Sequence, residues 1–434
     1  MNDRIFDYYT IIPHPTEPKV LFHRGENGFS LPHFIPTKTH FAHAYIVNEA
    51  IQNLLGIDVT VLSCVYNDLD TETDRVNRVF ALENHSPNWQ LPAEYRWVSK
   101  SDLYKIWLAV PVHKQVLQDW FEEYQDPTIK MQRVPWARLG WCYRAKAWIY
   151  EQLNQLGLTA ISPIEQLRSW SFCCIMRVNT NVGNIYFKAL PSALAKEALF
   201  TEILAERYPA NLPKMLAVES QQNWILMQDF GGVILSEISD ISVWEEALRL
   251  FARIQIKEAD RVDNLLSLGW PDRRIDRLPL QIELLLADTA ALLAGDFIIL
   301  QDSDIEELRG LIPEFKAMCE ELASYNLPET IVHGDFWAKN VIVNDNNYIY
   351  FDWPTSAIAH PFFDIINFLY IEKYVPDLPD VRVRLRNAYL EEWTIYEPME
   401  RLIAAFELAQ TLGMLYQAIT YYRIVSQLEI LARW

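Results

Sequence analysis

The feature that most constrains this 434-residue sequence is a short β-rich island, Thr330–Trp353, inside a second half with otherwise mainly helical patterning. Two apolar runs in this island are separated by the polar turn 344–347, a pattern that predicts a β-hairpin. Asp335 and Asn340 precede the hairpin, and Asp352 follows its return. Because a hairpin brings its two ends together, we expect these polar side chains to form one site.

An amide oxygen and a carboxylate brought together in this way suit Mg²⁺, which combines a few protein oxygens with phosphate oxygens. A further carboxylate can orient an acceptor hydroxyl group and take its proton. The alternative is an acidic surface loop beside an ordinary hairpin. The ordered set of polar residues disfavours that alternative.

The segment HGDFWAKN and the later segment IYFDW resemble the catalytic-loop and metal-binding elements of the aminoglycoside phosphotransferase and choline kinase family, which is related to protein kinases. The resemblance implies that Asp335 is the catalytic base and that Asn340 and Asp352 are metal ligands. It also implies that His333 supports the catalytic loop. ATP and Mg²⁺ are the expected cofactors.

The segment HPFFD, which ends at Asp364, resembles the segment that follows the metal site in that family. The resemblance implies that Asp364 braces the catalytic loop. It also implies an α+β chain with a bilobal, protein-kinase-like phosphotransferase. We predict a smaller α/β domain over 1–125, a linker and helix over 126–160, an N-lobe over 161–230 and a mainly helical C-lobe over 231–434.

The upstream half of such an enzyme needs a strand lysine that binds the nucleotide phosphates and a helix glutamate that orients it. Lys188 is flanked by apolar residues on the second strand of a predicted hairpin, and Glu197 follows on the next helix. Glu202 is the alternative partner. Lys188 could instead be an edge-strand lysine that reaches solvent, and both glutamates could be solvated helix charges.

Two further segments are candidates for nucleotide binding. The loop expected to cover the phosphates, 168–171, contains no glycine, so its backbone cannot approach phosphate closely. The hydroxyl groups of Ser169 and Ser171, or the side chain of Arg168, are proposed to bind phosphate instead. A plain turn is the alternative. Gln228 and Phe230 lie where family members pass from one lobe to the other and contact adenine, although a core strand followed by a turn would look the same.

The front domain resembles a Nudix fold. The segment from Lys19 to Pro32 and the helix that ends at Gly56 carry the resemblance. Active Nudix enzymes present several glutamates on that helix, and this chain has only Glu49 there. The resemblance therefore implies a domain without hydrolase activity.

The charge and the cysteine content restrict the partners and the compartment. A formal charge of −19 opposes binding to nucleic acids and anionic membranes and favours a cationic or amine-bearing partner. Five cysteines without CxxC spacing predict a reducing compartment. No signal-peptide pattern and no apolar run of about 18 residues is apparent, so we expect a cytoplasmic protein.

The sequence thus predicts an ATP-dependent small-molecule kinase with an alcohol group as acceptor, such as an aminoglycoside, a choline-like molecule or a sugar-like molecule. Acidic and aromatic residues after 231 are candidates for the acceptor surface, namely Asp260, Asp263, Trp270 and Asp272. One alternative is a kinase-like binding or regulatory protein without activity, which the glycine-free loop favours. Another alternative, an active diphosphate hydrolase in the front domain, is opposed by its missing glutamates.

Overall fold

The structure, a computed structural model, describes residues 4–70, 73–125, 133–293, 300–345, 347–369 and 380–427. These residues form two compact units. The first takes in the described residues up to 193 together with 216–229, and the second takes in 194–215 and the described residues from 230 to 426. Each unit contains both helices and strands, so the predicted α+β class is confirmed.

The N-terminal part of the first unit is built from two sheets and three helices. Their elements are β1 Ile5–Ile11, β2 Lys19–Gly25, β3 Gly28–Ser30, β4 His33–Phe34, α1 Ala44–Leu55, β5 Val59–Asp70, β6 Arg75–Asn84, β7 Tyr95–Ser99, α2 Lys100–Leu103 and α3 His113–Gln125. One sheet has the order β4-β1-β6-β5 and the other has the order β3-β2-β7.

Helix α1 ends where the sequence predicts it. Gly56 adopts a left-handed conformation with φ of 68° and donates its N–H to the carbonyl of Gln52, which closes the last turn. The buried side chains of α1 recur at helical spacing and pack with β1, β5 and β6 in one apolar cluster, and they include Val47, Ile51 and Leu55.

A second sheet system completes the first unit. It comprises α4 Trp141–Gln155, β8 Glu165–Trp170, β9 Cys173–Thr180, β10 Gly183–Ala189, β11 Met215–Glu219 and β12 Trp224–Gln228. The five strands have the order β11-β12-β10-β9-β8. The predicted hairpin around an Asn/Gly turn is confirmed, because β9 and β10 pair antiparallel with Gly183 opposite Thr180.

The second unit is mainly helical. Its elements are α5 Glu197–Arg207, β13 Val233–Ile234, α6 Ile241–Ala259, α7 Val262–Ser267, α8 Leu278–Ala287, α9 Thr289–Leu293, α10 Asp302–Gly310, α11 Ile312–Ala323, β14 Thr330–Val332, β15 Val341–Asn344, β16 Asn347–Tyr350, β17 Ala357–Ala359, α12 Phe362–Phe368, α13 Val381–Glu392 and α14 Met399–Val425. One large apolar cluster joins the helices to the β-rich island.

Helix α14 corrects the expectation that no segment approaches the length and hydropathy of a membrane span. An 18-residue window within its 27 residues has a mean hydropathy of 1.3, which meets that test by length and composition. Half of this window is buried, and Phe406, Leu412 and Tyr416 belong to the apolar core of the second unit. Packing in that core therefore accounts for the hydropathy of α14.

The edge strand β8 contacts the N-terminal sheets through a buried amide. Gln166 accepts a hydrogen bond at Oε1 from the backbone N–H of Val61 and donates from Nε2 to the carbonyl of Val61, with both distances 2.8 Å. Pairing between β5 and β6 is irregular directly after Val61. The Gln166 side chain therefore satisfies two backbone groups of β5.

We predict that Gln166→Ala lowers the free energy of unfolding of the first unit by about 2–4 kcal/mol. The variant leaves two buried backbone groups of Val61 without these partners, at about 1–3 kcal/mol each. Urea denaturation followed by circular dichroism measures the change. The exposed Gln155→Ala should stay within about 0.5 kcal/mol of the wild type. Equal stability of the two variants would contradict this role for Gln166.

Candidate active site

The loop between β14 and β15 holds the carboxylate predicted to be the catalytic base, and its path requires a glycine. Gly334 has φ of +81°, in the left-handed region, and a Cβ at this position would lie 2.4 Å from the carbonyl oxygen of Thr355. The Thr355 hydroxyl donates to the carbonyl of His333 at 3.1 Å. The loop and the segment after Trp353 are therefore packed too closely for any larger residue at 334.

The Asp335 carboxylate is oriented by donors from its own loop. Trp337 Nε1 donates to Oδ1 at 2.7 Å, and Asn340 Nδ2 donates to Oδ2 at 3.2 Å and to the Asp335 carbonyl at 2.8 Å. These bonds hold the carboxylate in one orientation. Asp335 is only partly buried, so a substrate group can reach it.

The hairpin brings Asn340 and Asp352 together, as the sequence predicts. Val341 pairs with Tyr350 across the hairpin, and the N–H of Phe351 donates to the Asn340 carbonyl at 3.1 Å. Asp352 follows at once with φ of 71°, a left-handed conformation that aspartate and asparagine tolerate better than other side chains.

The chemistry of this pair fits the predicted divalent cation. Since Nδ2 of Asn340 is bound to Asp335, the side-chain Oδ1 of Asn340 is the atom that suits a metal, together with the Asp352 carboxylate. Among the described ranges, no group of three or more His, Cys, Asp or Glu residues forms a metal cluster. Mg²⁺ suits such a pair of protein oxygens, since phosphate oxygens and water can fill its other coordination positions.

His333 supports both ends of the site. Its ring Nδ1 accepts from the N–H of Asp335 at 3.3 Å, so the proton lies on Nε2, which donates to the Phe351 carbonyl at 2.9 Å. The ring is buried and lies 4.5 Å from the Trp353 ring, between centroids. His333 thus links the backbone of Asp335 to Phe351, the residue before Asp352, which agrees with the predicted supporting role.

Asp364, the first carboxylate of α12, binds the backbone of the catalytic loop. It accepts the backbone N–H groups of His333 at 2.6 Å and of Gly334 at 2.8 Å. Burial, together with the smaller effect of the Asp335 charge, raises the pKa of Asp364 to about 7 against the opposing effect of these two donors. The predicted brace is therefore present in the geometry, and it titrates near neutral pH.

A buried glutamine and a buried tyrosine extend this brace, and sequence reasoning missed both. Gln255 on α6 donates to Asp364 at 3.2 Å and to the Ile331 carbonyl at 3.0 Å, and it accepts from the Tyr389 hydroxyl of α13 at 2.6 Å. A polar residue within the apolar stripe of a predicted helix was the available signal for Gln255. Nothing near Tyr389 in the sequence indicates its contact.

The predicted nucleotide-binding charges lie in different units. Lys188 is on β10, which has a strand on either side, and only 6% of its surface is exposed. The alternative of an edge-strand lysine that reaches solvent is therefore wrong. Glu197 begins α5 and is 3% exposed, whereas Glu202 is exposed. Burial favours Glu197 over Glu202, and the partnership of Lys188 with Glu197 stays a prediction.

Ser169 does not lie in a loop, so the position predicted for the phosphate-covering turn is wrong. The residue is inside β8, and the turn is formed by Ser171 and Phe172. Ser169 is 3% exposed, its N–H donates to the Ala42 carbonyl at 3.0 Å and its hydroxyl donates to the Leu62 carbonyl at 3.3 Å. These contacts bind Ser169 to the N-terminal part and occupy its hydroxyl group.

The segment predicted to contact adenine lies where the chain passes between the units. Gln228 is exposed at the end of β12 in the first unit. Phe230 belongs to the second unit, where its carbonyl accepts from Asn344 Nδ2 at 2.9 Å and its ring lies 5.3 Å from the Phe351 ring. Adenine binding by either residue stays a prediction.

One of the four residues suggested for the acceptor surface belongs to the core, and a role for the other three stays a prediction. Trp270 is buried against Phe200, with ring centroids 4.0 Å apart, so it is a core residue. Asp272 forms two hydrogen bonds of 2.9 Å with Arg274, and Asp260 and Asp263 are exposed. An aromatic residue that does contact Asp335 is Trp337, through its ring N–H.

A family model described as "Phosphotransferase enzyme family" matches residues 178–400. This match covers more than half of the chain and includes every residue of the catalytic loop, the hairpin and Asp364. It starts within β9 and stops at the beginning of α14, so the N-terminal sheets lie outside it. Among curated proteins, no sequence matches this chain significantly.

Several solved structures are similar to this chain. An ethanolamine kinase from Plasmodium vivax shows 13% identity and a TM-score of 0.47, covering 72% of this chain and 88% of its own. A choline kinase from Cryptosporidium parvum shows 15% identity and a TM-score of 0.47, covering 66% and 86%. An ADP-bound aminoglycoside phosphotransferase shows 19% identity and a TM-score of 0.38, covering 62% and 99%. At these values the family assignment rests on the sequence match alone.

We predict that catalytic turnover falls about tenfold per pH unit as the pH drops below about 7. Asp364 then takes up a proton, so one of its oxygens can no longer accept a hydrogen bond from the N–H groups of the loop. The pH dependence of kcat measures this effect. The acidic limb near pH 7 should disappear in Asp364→Asn and remain in Asp302→Asn, whose carboxylate is exposed. If Asp364→Asn keeps the same fall of kcat at acidic pH, that fall belongs to the titration of another group.

Proposed function

The chain belongs to the phosphotransferase enzyme family, and from this membership we propose that it transfers the γ-phosphoryl group of ATP to a hydroxyl group of a small molecule. The observation that carries the proposal is the arrangement of Asp335, Asn340 and Asp352 at the two ends of one hairpin. The base and both proposed metal ligands then lie on one rigid element of the second unit.

Asp335 acts on the acceptor in this proposal. Its carboxylate is held by Trp337 and Asn340 in one orientation, so an acceptor hydroxyl that donates to it is aligned for attack on phosphorus. As the new O–P bond forms, the bond between the γ-phosphorus and the β,γ-bridging oxygen breaks and ADP leaves. The hydroxyl proton passes to the Asp335 carboxylate. The exposed edge of this carboxylate gives the acceptor access.

Asn340 and Asp352 are the residues that would hold Mg²⁺. When bound, Mg²⁺ offsets negative charge on the phosphate oxygens. His333 holds Asn340 and Asp352 in fixed relative positions through its bonds to the backbone at both ends of the hairpin. The brace from Asp364 and Gln255 prevents the loop from relaxing when charged groups enter the site.

Lys188 is proposed to bind the nucleotide phosphates. A lysine that is 94% buried on a central strand is costly unless its ammonium group meets a negative charge. Glu197, also buried, is the proposed carboxylate that orients it. Adenine would be contacted near Gln228 and Phe230. These assignments follow the family resemblance.

The acceptor is proposed to be a small molecule that bears an amine. The charge of −19 on the chain attracts cations, and the aromatic side chain of Trp337 contacts the base carboxylate. The similar structures include a choline kinase, an ethanolamine kinase and an aminoglycoside phosphotransferase. A screen of a metabolite extract with purified protein, ATP and Mg²⁺, read as new phosphorylated masses, identifies the acceptor.

The N-terminal sheets are proposed to be a Nudix-like module without hydrolase activity. Helix α1 carries a single carboxylate, Glu49, which is too few to build a metal cluster for diphosphate hydrolysis. The bonds from Gln166 and Ser169 to this part of the unit favour a supporting role for β8.

We predict that Asp335→Ala lowers kcat by about 1,000-fold, because the acceptor hydroxyl loses the group that aligns it and takes its proton. Nucleotide affinity should stay within about threefold of the wild type, since the Asp335 carboxylate acts on the acceptor. Acceptor-dependent ADP release and displacement of a fluorescent nucleotide measure the two effects. Retained turnover would contradict the assignment of Asp335, and Asp302→Ala serves as the control.

We predict that Lys188→Met weakens binding of MgATP by about tenfold or more, because a charge-assisted contact with phosphate is lost while the length of the side chain is kept. Isothermal titration calorimetry measures the affinity. Lys214→Met removes an exposed lysine and should bind as the wild type does. Equal affinities for the two variants would remove Lys188 from the nucleotide site.

A further inference from the structure

The last helix of the second unit, α14, reaches the catalytic loop through a buried side chain, Gln417. Its Nε2 donates to the carbonyl of Gly334 at 3.0 Å, across a sequence separation of 83 residues. Gln417 is 9% exposed, so this bond lies in the interior of the second unit. The residue also lies beyond position 400, where the match to the phosphotransferase family ends. The family match therefore does not include this contact.

The bond acts on the peptide group that precedes the proposed base. The carbonyl of Gly334 and the N–H of Asp335 belong to one planar peptide group. Gln417 donates to the carbonyl, and Nδ1 of His333 accepts the N–H at 3.3 Å. The peptide plane from which Asp335 extends is thus held on both of its edges.

Gly334 is the reason that this plane has to be held. A residue without a Cβ can rotate its flanking peptide groups at little steric cost, and Gly334 has φ of +81°. The N–H of Gly334 donates to Asp364 at 2.8 Å, which fixes the peptide group before it. The peptide group after it is fixed at its carbonyl by Gln417. Without that bond, the longer bond to His333 would have to hold the plane.

Close packing of α14 against α12 brings Gln417 to this depth. Gly413 lies one turn before Gln417, on the same face of the helix. It is buried, and a Cβ at this position would clash with the Ile366 side chain of α12. Glycine is a weaker helix former than alanine, so what position 413 provides is the close approach of the two helices. Since α12 also carries Asp364, both backbone groups of Gly334 are bound from this helix pair.

The amide group of Gln417 adds little to stability. Its Oε1 is buried and has no hydrogen-bond partner within the part of the chain that the structure describes. A buried acceptor without a partner destabilises a protein by about as much as one hydrogen bond stabilises it. A methionine of similar length would fill the same space without an unpaired oxygen. Orientation of the loop therefore explains a glutamine at position 417 better than stability does.

We propose that Gln417 is a positioning residue of this enzyme, which fixes the peptide group between Gly334 and Asp335 and thereby the direction of the Asp335 carboxylate. This inference rests on the proposed phosphoryl transfer and adds a residue of α14 to its site. Trp337 and Asn340 orient the carboxylate at its oxygens, whereas Gln417 orients the backbone from which the side chain extends.

The kinetic test uses Gln417→Met, which keeps the length of the side chain and removes its donor. We expect kcat to fall about tenfold, because the carboxylate that takes the acceptor proton loses its fixed direction. The KM for MgATP should stay within about twofold, since Asn340 and Asp352 are brought together by the pairing of the hairpin. ADP release from MgATP is measured with water as the acceptor and with each metabolite that proves active.

Thr420→Val supplies a matched control on the same helix. Thr420 is also buried, and its hydroxyl accepts from Arg273 and donates to the carbonyl of Tyr416, away from the catalytic loop. Loss of these bonds should lower the Tm by about 2–4 °C and leave kcat unchanged at temperatures where the protein is folded.

The hold on the loop is also tested without turnover, by hydrogen exchange of the whole protein read by mass spectrometry. In Gln417→Met, we expect exchange in the peptide that covers 333–341 to become at least about threefold faster, while Thr420→Val leaves it unchanged. Equal exchange of this peptide in the wild type and in Gln417→Met would overturn the proposal. If Gln417→Met does not fold, Gln417→Asn, which draws the donor back by one carbon, takes its place with the same expectations.

Four results separate the inference from the proposed function. Wild-type kcat in Gln417→Met, with turnover present, would overturn the role of Gln417 and leave the function standing. A fall of kcat that Thr420→Val shares, or a raised KM for MgATP, would make Gln417 a structural residue and likewise overturn its role. Absence of ADP release under every condition would overturn the function and the inference that rests on it. A tenfold loss in kcat alone, with faster exchange of the loop, supports both.

Discussion

The Asp364 carboxylate, through its bonds to the N–H groups of His333 and Gly334, is the interaction on which the rest of the site depends. The loop has few other ways to satisfy these two donors inside an apolar core, and an unpaired buried N–H costs about 1–3 kcal/mol. Gln255 and Tyr389 extend the network to α6 and α13, so the loop is fixed to several helices of the second unit. These bonds fix the loop backbone and so set the positions of the side chains that follow in the loop.

The single hairpin that follows this loop brings the base and the proposed metal ligands together. Backbone pairing sets Asn340 opposite Phe351, and His333 joins the two ends through both ring nitrogens. The base and the proposed metal ligands thus come from about twenty consecutive residues, and their geometry depends on local pairing. Helix α14 is the exception, because it adds the bond from Gln417 to the Gly334 carbonyl from a distant part of the chain.

The elements that the sequence predicts well are those whose signals are local. The HGDFWAKN loop, the returning hairpin and the glycine that ends α1 each carry their own turn or spacing pattern, and the structure has them where expected. Ser169 was misplaced because β8 continues beyond the residues with strand-like composition and because its partners, Ala42 and Leu62, are more than 100 residues away. Gln417 has no local signal at all, since its partner, Gly334, belongs to another element. Long-range packing therefore decides the parts that the sequence leaves open.

The central claim is that Asn340 and Asp352 together hold a divalent ion against the phosphates of a nucleoside triphosphate. Electron paramagnetic resonance of Mn²⁺, titrated into the protein with a non-hydrolysable ATP analogue, tests it directly. The account predicts tight Mn²⁺ binding that requires the nucleotide in the wild type, and a loss of at least about tenfold in affinity in Asp352→Asn and in Asn340→Ala. Equal Mn²⁺ affinity in the wild type and in both variants, with the analogue bound, would contradict it.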